Sequence, residues 1–253
     1  MKKTGVYIYD NTLNEQHMQD LASIVKMGGW EYGHIGNHHH HEYIPLDENG
    51  KEYENLILDS QEYGIGYQDQ HWRFEFGTSW KTDLGSYSAI GTFIPGHKLG
   101  LYELWANVIH KTIKEKFDID LNLVRAYANG VTPDRHGFIH KDSDWDHAWT
   151  ILYYANLIWK PNWRGETVFY TEGGKDTTDI VYPKPGRWII FNSTQWHVGS
   201  PVTSFFRGLR ITYAFKAFDR KITNDLLKAG KYPSKVHITD PNYDLADELK
   251  GVW

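Results

Sequence analysis

Cysteine is absent from this chain of 253 residues. Its absence excludes disulfide frameworks, thiolate zinc sites, iron–sulfur clusters and cysteine nucleophiles together. Any metal must then be held by imidazole, carboxylate or main-chain oxygen, a donor set that suits iron, manganese or zinc. Long apolar runs are missing too, and no stretch approaches the roughly 20 apolar residues of a membrane-spanning helix. Met1-Lys2-Lys3 is followed by Asp10, Asn11 and Asn14, which interrupt any signal-peptide core. The expectation is a cytoplasmic protein without membrane attachment. Net positive charge is also lacking, at a formal −5, which argues against strong nucleic-acid binding by bulk electrostatics. The mild Lys/Arg excess from Lys216 to Lys235 reads as a solvated face.

What the chain has in quantity is histidine, 14 in all, and aromatic rings, with 11 Phe, 11 Trp and 17 Tyr. A hydrophobic share of 40% and a charged share of 23% exclude the disordered class. The length suits one large domain.

Residues 14–27 read as an amphipathic helix with Asn14 as N-cap, Met18, Leu21 and Val25 on one face, and Gly28-Gly29 as the stop. A second helix is expected from about Lys98 to Phe117, with Leu101, Leu104, Trp105, Val108 and Ile113 as its apolar stripe. Between them lie strand-like runs at Trp72 to Phe76 and Ile90 to Ile94. Beyond Phe117, short strands are expected at Leu123–Ala128, Trp149–Ala155, Thr167–Tyr170, Asp179–Tyr182, Arg187–Phe191 and Arg210–Phe215. Turn clusters such as Pro183-Lys184-Pro185-Gly186 separate them, and a last helix is expected over Thr223–Lys228. Short strands at this spacing point to a β-sandwich or jelly roll with the helices outside.

The chemistry concentrates at His140-Lys141-Asp142. On an extended chain residues i and i+2 project to one side, so this imidazole and carboxylate can meet one ion. The spacing alone is weak, because a chain with 14 histidines and 19 aspartates holds about one such pair by chance. His40 and Glu42 form a comparable pair beside the His38–His41 tract, which reads as an exposed loop. Context separates the two. Behind His140 and Asp142 come His197, in Gln195-Trp196-His197, and then Arg210-Ile211-Thr212 at the start of a strand. Two His and one carboxylate form the facial triad of non-haem Fe(II) oxygenases, which leaves open coordination positions. A 2-oxoglutarate molecule and O2 can fill these, and the far carboxylate of 2-oxoglutarate then needs a cationic fork of the kind arginine supplies.

The run from Leu123 to Phe218 resembles the core of the prolyl 4-hydroxylase-like 2-oxoglutarate/Fe(II)-dependent dioxygenases. The matching pieces are Ala126-Tyr127-Ala128-Asn129-Gly130, His140-Lys141-Asp142, Leu152-Tyr153-Tyr154-Ala155-Asn156 and Trp163-Arg164-Gly165-Glu166-Thr167. After these come Pro183-Lys184-Pro185-Gly186-Arg187, His197 and Arg210-Ile211-Thr212. The resemblance implies a mainly β fold with flanking helices, a double-stranded β-helix of the jelly-roll, cupin-like kind. It implies Fe(II) held by His140, Asp142 and His197 as the catalytic centre, with 2-oxoglutarate and O2 as cosubstrates and ascorbate as a further candidate. Tyr154 takes the family position that hydrogen-bonds the far carboxylate, and Tyr127 the position near the cosubstrate. The family's cationic residue falls nine or ten positions after the second histidine. Arg207 has that spacing, whereas Arg210 has the strand context, with Thr212 beside it; the two differ in parity, so one of them should face inward.

The expected organisation is one Fe(II)/2-oxoglutarate dioxygenase domain over residues 1–253. Residues 1–120 would pack on the barrel, 121–218 form the catalytic jelly-roll core and 219–253 form a C-terminal helical tail. The expected reaction is hydroxylation of an unactivated C–H bond, with a peptidyl proline as the nearest substrate. Alternatives are a free amino acid or other small molecule, a non-oxygenase cupin-type metalloenzyme, and an inactive binding module. Arg135, His136, Asp144 and Trp145 flank the metal motif where a substrate could approach, and His136, His147 and His237 read as polar groups rather than ligands.

Overall fold

The computed structural model describes residues 5–27, 30–35, 70–75, 101–133, 135 and 137–228. In chain order these form β1 (Tyr7–Tyr9), α1 (Glu15–Ile24), β2 (Glu31–Ile35), β3 (Gln70–Glu75), a helical run α2 and β4 (Leu121–Val131). There follow β5 (Ala148–Tyr154), β6 (Thr167–Tyr170), β7 (Thr177–Val181), β8 (Trp188–Asn192), β9 (His197–Gly199), β10 (Arg210–Asp219) and α3 (Arg220–Lys228).

The first helix begins where the sequence places it. The Asn14 side chain accepts a hydrogen bond from the His17 backbone N–H at 2.8 Å, and Glu15 sits in the first turn, where the helix dipole favours an acid. The α-helix ends at Ile24 and tightens into a 3-10 turn over Val25–Met27. The expected stop at Gly28-Gly29 lies outside the described residues. The second helix, α2, comprises Leu101–Glu103, a π-helical stretch Leu104–His110 and Lys111–Phe117. Its wide turn keeps Leu104, Trp105 and Ile109 buried, and Asp118 ends it in the left-handed region at φ 53°.

Each of the six strands expected after Phe117 is present, Thr167–Tyr170 with the expected ends and the other five with shifted ones. Three further strands, β1, β2 and β9, are not among the runs expected from the sequence. The expected run at Ile90–Ile94 and the His38–His41 tract lie outside the described residues. The strands form a seven-stranded sheet of order β1-β8-β5-β10-β4-β3-β2 and a three-stranded sheet β7-β6-β9, antiparallel throughout.

Alternation along the central strands divides the interior in two. Tyr213, Phe215 and Ala217 of β10, with Trp149, Ile151 and Tyr153 of β5, join Leu21, Trp105, Ile109 and Ile113 in a helix-side core. Burying side chains of this size is worth about 1.5–3 kcal/mol apiece, so this layer holds the helices to the sheet. The Tyr213 hydroxyl donates to the Leu21 carbonyl at 2.5 Å. The opposite face supplies Tyr154, Ile189 and Phe191, which pack against Phe169 and Val181 of the small sheet. Two antiparallel sheets face to face with helices outside is the jelly-roll arrangement expected. On the face opposite the helix-side core, β10 carries Arg210, Thr212, Ala214 and Lys216.

Candidate active site

The two histidines meet through backbone pairing. The His140 N–H donates to the His197 carbonyl at 3.0 Å, and the His197 N–H donates to the His140 carbonyl at 2.9 Å. Directly opposed residues of an antiparallel bridge project their side chains to the same face. Asp142 joins them two residues along, anchored because the Asp142 and Ser143 N–H groups both donate to the Ser193 carbonyl. His140 Nε2 then lies 3.6 Å from Asp142 Oδ1, and His197 Nε2 lies 3.5 Å from Asp142 Oδ2. One donor atom from each of the three residues falls within 4.8 Å of the others.

The ring orientations suit a metal. His140 Nδ1 is 2.7 Å from the Phe138 carbonyl, and His197 Nδ1 is 2.9 Å from the Gln195 carbonyl. A carbonyl only accepts, so each Nδ1 carries the proton and each Nε2 offers its lone pair towards Asp142, as in metal-ligating histidines. Burial pushes the His197 pKa down to about 3, which keeps this ring neutral. At Asp142 burial opposes the charged form. The Lys216 ammonium is the largest of the influences that outweigh it and hold the carboxyl well below its usual range. A neutral imidazole and an ionised carboxylate are the forms that bind a divalent cation. This N/O donor set fits iron.

The second half of the site is a buried cation. Arg210 is 5% exposed; its Nε donates to the Gly165 carbonyl at 2.6 Å and its Nη2 to Thr167 Oγ1 at 3.2 Å. Tyr154 OH lies 2.7 Å from the same Thr167 oxygen, and the guanidinium carbon stands 5.6 Å from the Tyr154 ring centre. Among the described residues no carboxylate pairs with Arg210. Burial lowers its pKa against the charges of Tyr154 and Glu166, yet a guanidinium stays protonated, so the pocket holds a positive charge with no carboxylate bonded to it among the described residues. Burial likewise raises the Tyr154 pKa, although Arg210 and Thr167 oppose it, so its hydroxyl remains a donor. Gly165 makes room. With φ at +81°, a Cβ there would stand 3.0 Å from Arg210 Cδ. Its neighbour Arg164 takes φ 58°, which is costly for a residue with a side chain.

Thr212 is buried and pairs with Tyr154 across β5 and β10, while Tyr127 stands opposite Ala214 on the same face. Arg207 is exposed in the loop before β10. Of the two candidate arginines, the inward one is therefore Arg210. His136 and His237 lie outside the described residues. Asp144 is 2.9 Å from Lys141 Nζ, and His147 packs between Trp145 and Phe218 at ring-centre distances of 5.3 and 5.2 Å.

One expectation is corrected here. Lys216, read as part of a solvated basic face, is 2% exposed, and its ammonium contacts Asp142 Oδ2. Thr150, Thr167 and Ser193 were not singled out from the sequence either. A signal existed for Lys216: it continues the same-parity row Arg210, Thr212, Ala214, and that parity puts it on the site face.

Residues 124–215 match the family model described as the 2OG-Fe(II) oxygenase superfamily. No curated protein matches the chain. Among solved structures, a prolyl hydroxylase from Trichoplax adhaerens, in complex with a hypoxia inducible factor peptide fragment, is similar at 14% identity and TM-score 0.53. The match covers 86% of this chain and 84% of that one. HygX from Streptomyces hygroscopicus, with nickel and 2-oxoglutarate bound, is similar at 12% identity and TM-score 0.51, over the same shares of each chain. A second HygX structure, which also holds hygromycin B, gives 10% identity and TM-score 0.50 over 86% and 84%. These likenesses show the fold, a double-stranded β-helix, and residues 124–215 within it are similar to the 2OG-Fe(II) oxygenase superfamily.

Proposed function

We propose that this protein is an Fe(II)- and 2-oxoglutarate-dependent hydroxylase, with His140, Asp142 and His197 as metal ligands. The observation that carries the reading is the pairing of this triad with a buried arginine that has no acidic partner among the described residues. A buried guanidinium is costly unless a counter-charge reaches it, and a dicarboxylate cosubstrate would bring one. When bound, iron supplies the coupling of 2-oxoglutarate decarboxylation to succinate and CO2 with insertion of one atom of O2 into a C–H bond.

The protein's own part is to bind and orient. Arg210, Tyr154 and Thr212 would receive the far carboxylate of 2-oxoglutarate, with Tyr127 on the same face. Thr167, bonded to both Arg210 and Tyr154, holds those two donors in place. Phe169, Phe191 and Ile189 line the space with apolar surface, which excludes water and strengthens the charge interactions inside.

For the substrate we favour a peptidyl proline, since the Trichoplax enzyme of the same fold is a prolyl hydroxylase in complex with a peptide fragment. HygX, of the same fold and crystallised with hygromycin B, favours the second reading, a small molecule. Anaerobic addition of Fe(II) and 2-oxoglutarate should give a weak visible charge-transfer band, lost in His140→Ala and Asp142→Ala. No band in the wild-type protein sinks the iron reading. Succinate release stimulated by proline-rich peptides, and not by free amino acids or aminoglycosides, supports the peptide reading; the reverse pattern replaces it with the small-molecule one.

A further inference from the structure

Beside the metal ligands lies a buried network that the proposed reaction leaves without a role. The Thr150 hydroxyl donates to Asp142 Oδ2 at 2.6 Å. It accepts from Lys216 Nζ at 3.1 Å and lies 2.9 Å from Ser193 Oγ. A hydroxyl has one hydrogen and two lone pairs, so Thr150 is fully used when Ser193 donates to it. Lys216 also contacts Asp142 Oδ2 directly. The network is built into the sheet: Thr150 and Lys216 face each other across β5 and β10, and the Ser193 carbonyl holds the backbone of Asp142.

From this geometry we infer that Lys216 is a positioning residue that, with Thr150, makes Asp142 a one-oxygen metal ligand. Both donors converge on Oδ2, and the two of them occupy the lone pairs that a chelating carboxylate would turn to the metal. Each oxygen lies near one histidine, Oδ1 3.6 Å from His140 Nε2 and Oδ2 3.5 Å from His197 Nε2, so it is the Lys216 and Thr150 contacts on Oδ2 that leave Oδ1 for the ion. Lys216 touches neither reacting atom nor cosubstrate in this assignment and acts through Asp142 alone. The inference rests on the reading that Asp142 is a metal ligand.

Two probes on the full-length chain test it. Co(II) reports coordination number through its visible d–d band, and Mn(II) affinity is measured by loss of the free-ion electron paramagnetic resonance signal. In Lys216→Met the carboxylate is released to turn its second oxygen to the metal, and the Co(II) band should shift and lose intensity. Thr150→Val removes orientation without changing charge and should weaken Mn(II) binding about tenfold to a hundredfold. A K216M protein whose Co(II) band superimposes on the wild type overturns the inference, as does a T150V protein with wild-type Mn(II) affinity. If K216M does not fold, Lys216→Gln, neutral and shorter, gives the same Co(II) comparison. Wild-type protein that takes up neither ion overturns the metal reading itself, which separates the two failures.

Discussion

A guanidinium cannot shed its proton at ordinary pH, so the burial of Arg210 has to be offset by whatever its site receives. Arg210 and Arg207 are only three residues apart, yet one sits at 5% exposure between the sheets and the other in an exposed loop. Arg210→Met should raise the Kd for 2-oxoglutarate about a hundredfold, as expected for losing charged hydrogen bonds of about 1.5–3 kcal/mol each. Arg207→Met should leave it unchanged. Calorimetry with Mn(II) in place of iron checks both, and equal losses in the two variants would contradict the assignment. At this scale the sequence was legible wherever strand parity could be followed, as for His140, Asp142 and Arg210. Lys216 was misread because a lysine at the head of a basic run looks solvated. Its partner Thr150 lies 66 residues away and becomes its neighbour only in the folded sheet.

Among the elements, β1 shows why a short strand escapes a reading by pattern. Three residues cannot display alternation, and what holds Tyr7–Tyr9 in place comes from the far side of the chain. Tyr9 stacks on Trp188 with ring centres 4.0 Å apart, and Trp188 Nε1 donates to Thr12 Oγ1 at 3.1 Å. Just beyond the strand, Arg187 grips Asp10 with two hydrogen bonds, Nε to Oδ1 at 2.8 Å and Nη2 to Oδ2 at 2.9 Å. The Arg187 hydrogen bond, aided by its charge, lowers the Asp10 pKa against a smaller opposing effect of burial. A depressed carboxyl contributes stability that is complete above the unfolded value of about 3.9 and lost as pH falls through the folded one. Asp10→Asn should therefore cost about 1 kcal/mol at pH 7, a figure already discounted for the pair's partial exposure. The difference from wild type should shrink on acidification below about pH 4. Urea denaturation at pH 7 and pH 3 measures both, and a cost that stays constant with pH would refute the ion pair as its source. The long strands β4, β5 and β10 were legible for the opposite reason, since alternate residues of each join the helix-side core while the others face away from it.

At the scale of the molecule, β10 brings two cations into the interior between the sheets. The large sheet supplies Arg210 and Lys216 from β10; Asp142 pairs with Lys216, and Glu166 acts on Arg210 through its charge alone. Ligands that bind this folded arrangement and not the unfolded chain must stabilise it. Mn(II) and 2-oxoglutarate, each at about 100 times its Kd, should add about 2.7 kcal/mol apiece, each raising Tm by about 5–10 °C for a chain of this size. In R210M the 2-oxoglutarate increment should vanish while the Mn(II) increment remains. Loss of both increments in that variant would mean a damaged fold rather than a lost carboxylate contact. The two-sheet architecture was legible from strand spacing. The β9 strand that carries His197 was not, because its three residues take their place from pairing with Phe169, Val168 and Thr167.

Strand β10 carries hydrophobic side chains on one face and the polar row on the other, and it pairs with β4 over its whole length. A slip of one residue would turn Arg210 and Lys216 into the helix-side core and leave Tyr213 and Phe215 facing the metal ligands. That alternative is excluded on both faces at once, because it buries two cations in hydrocarbon and strands two rings among polar groups. Ligand competence and correct folding thus share a single register, and 2-oxoglutarate-dependent protection from proteolysis would count correctly folded molecules directly.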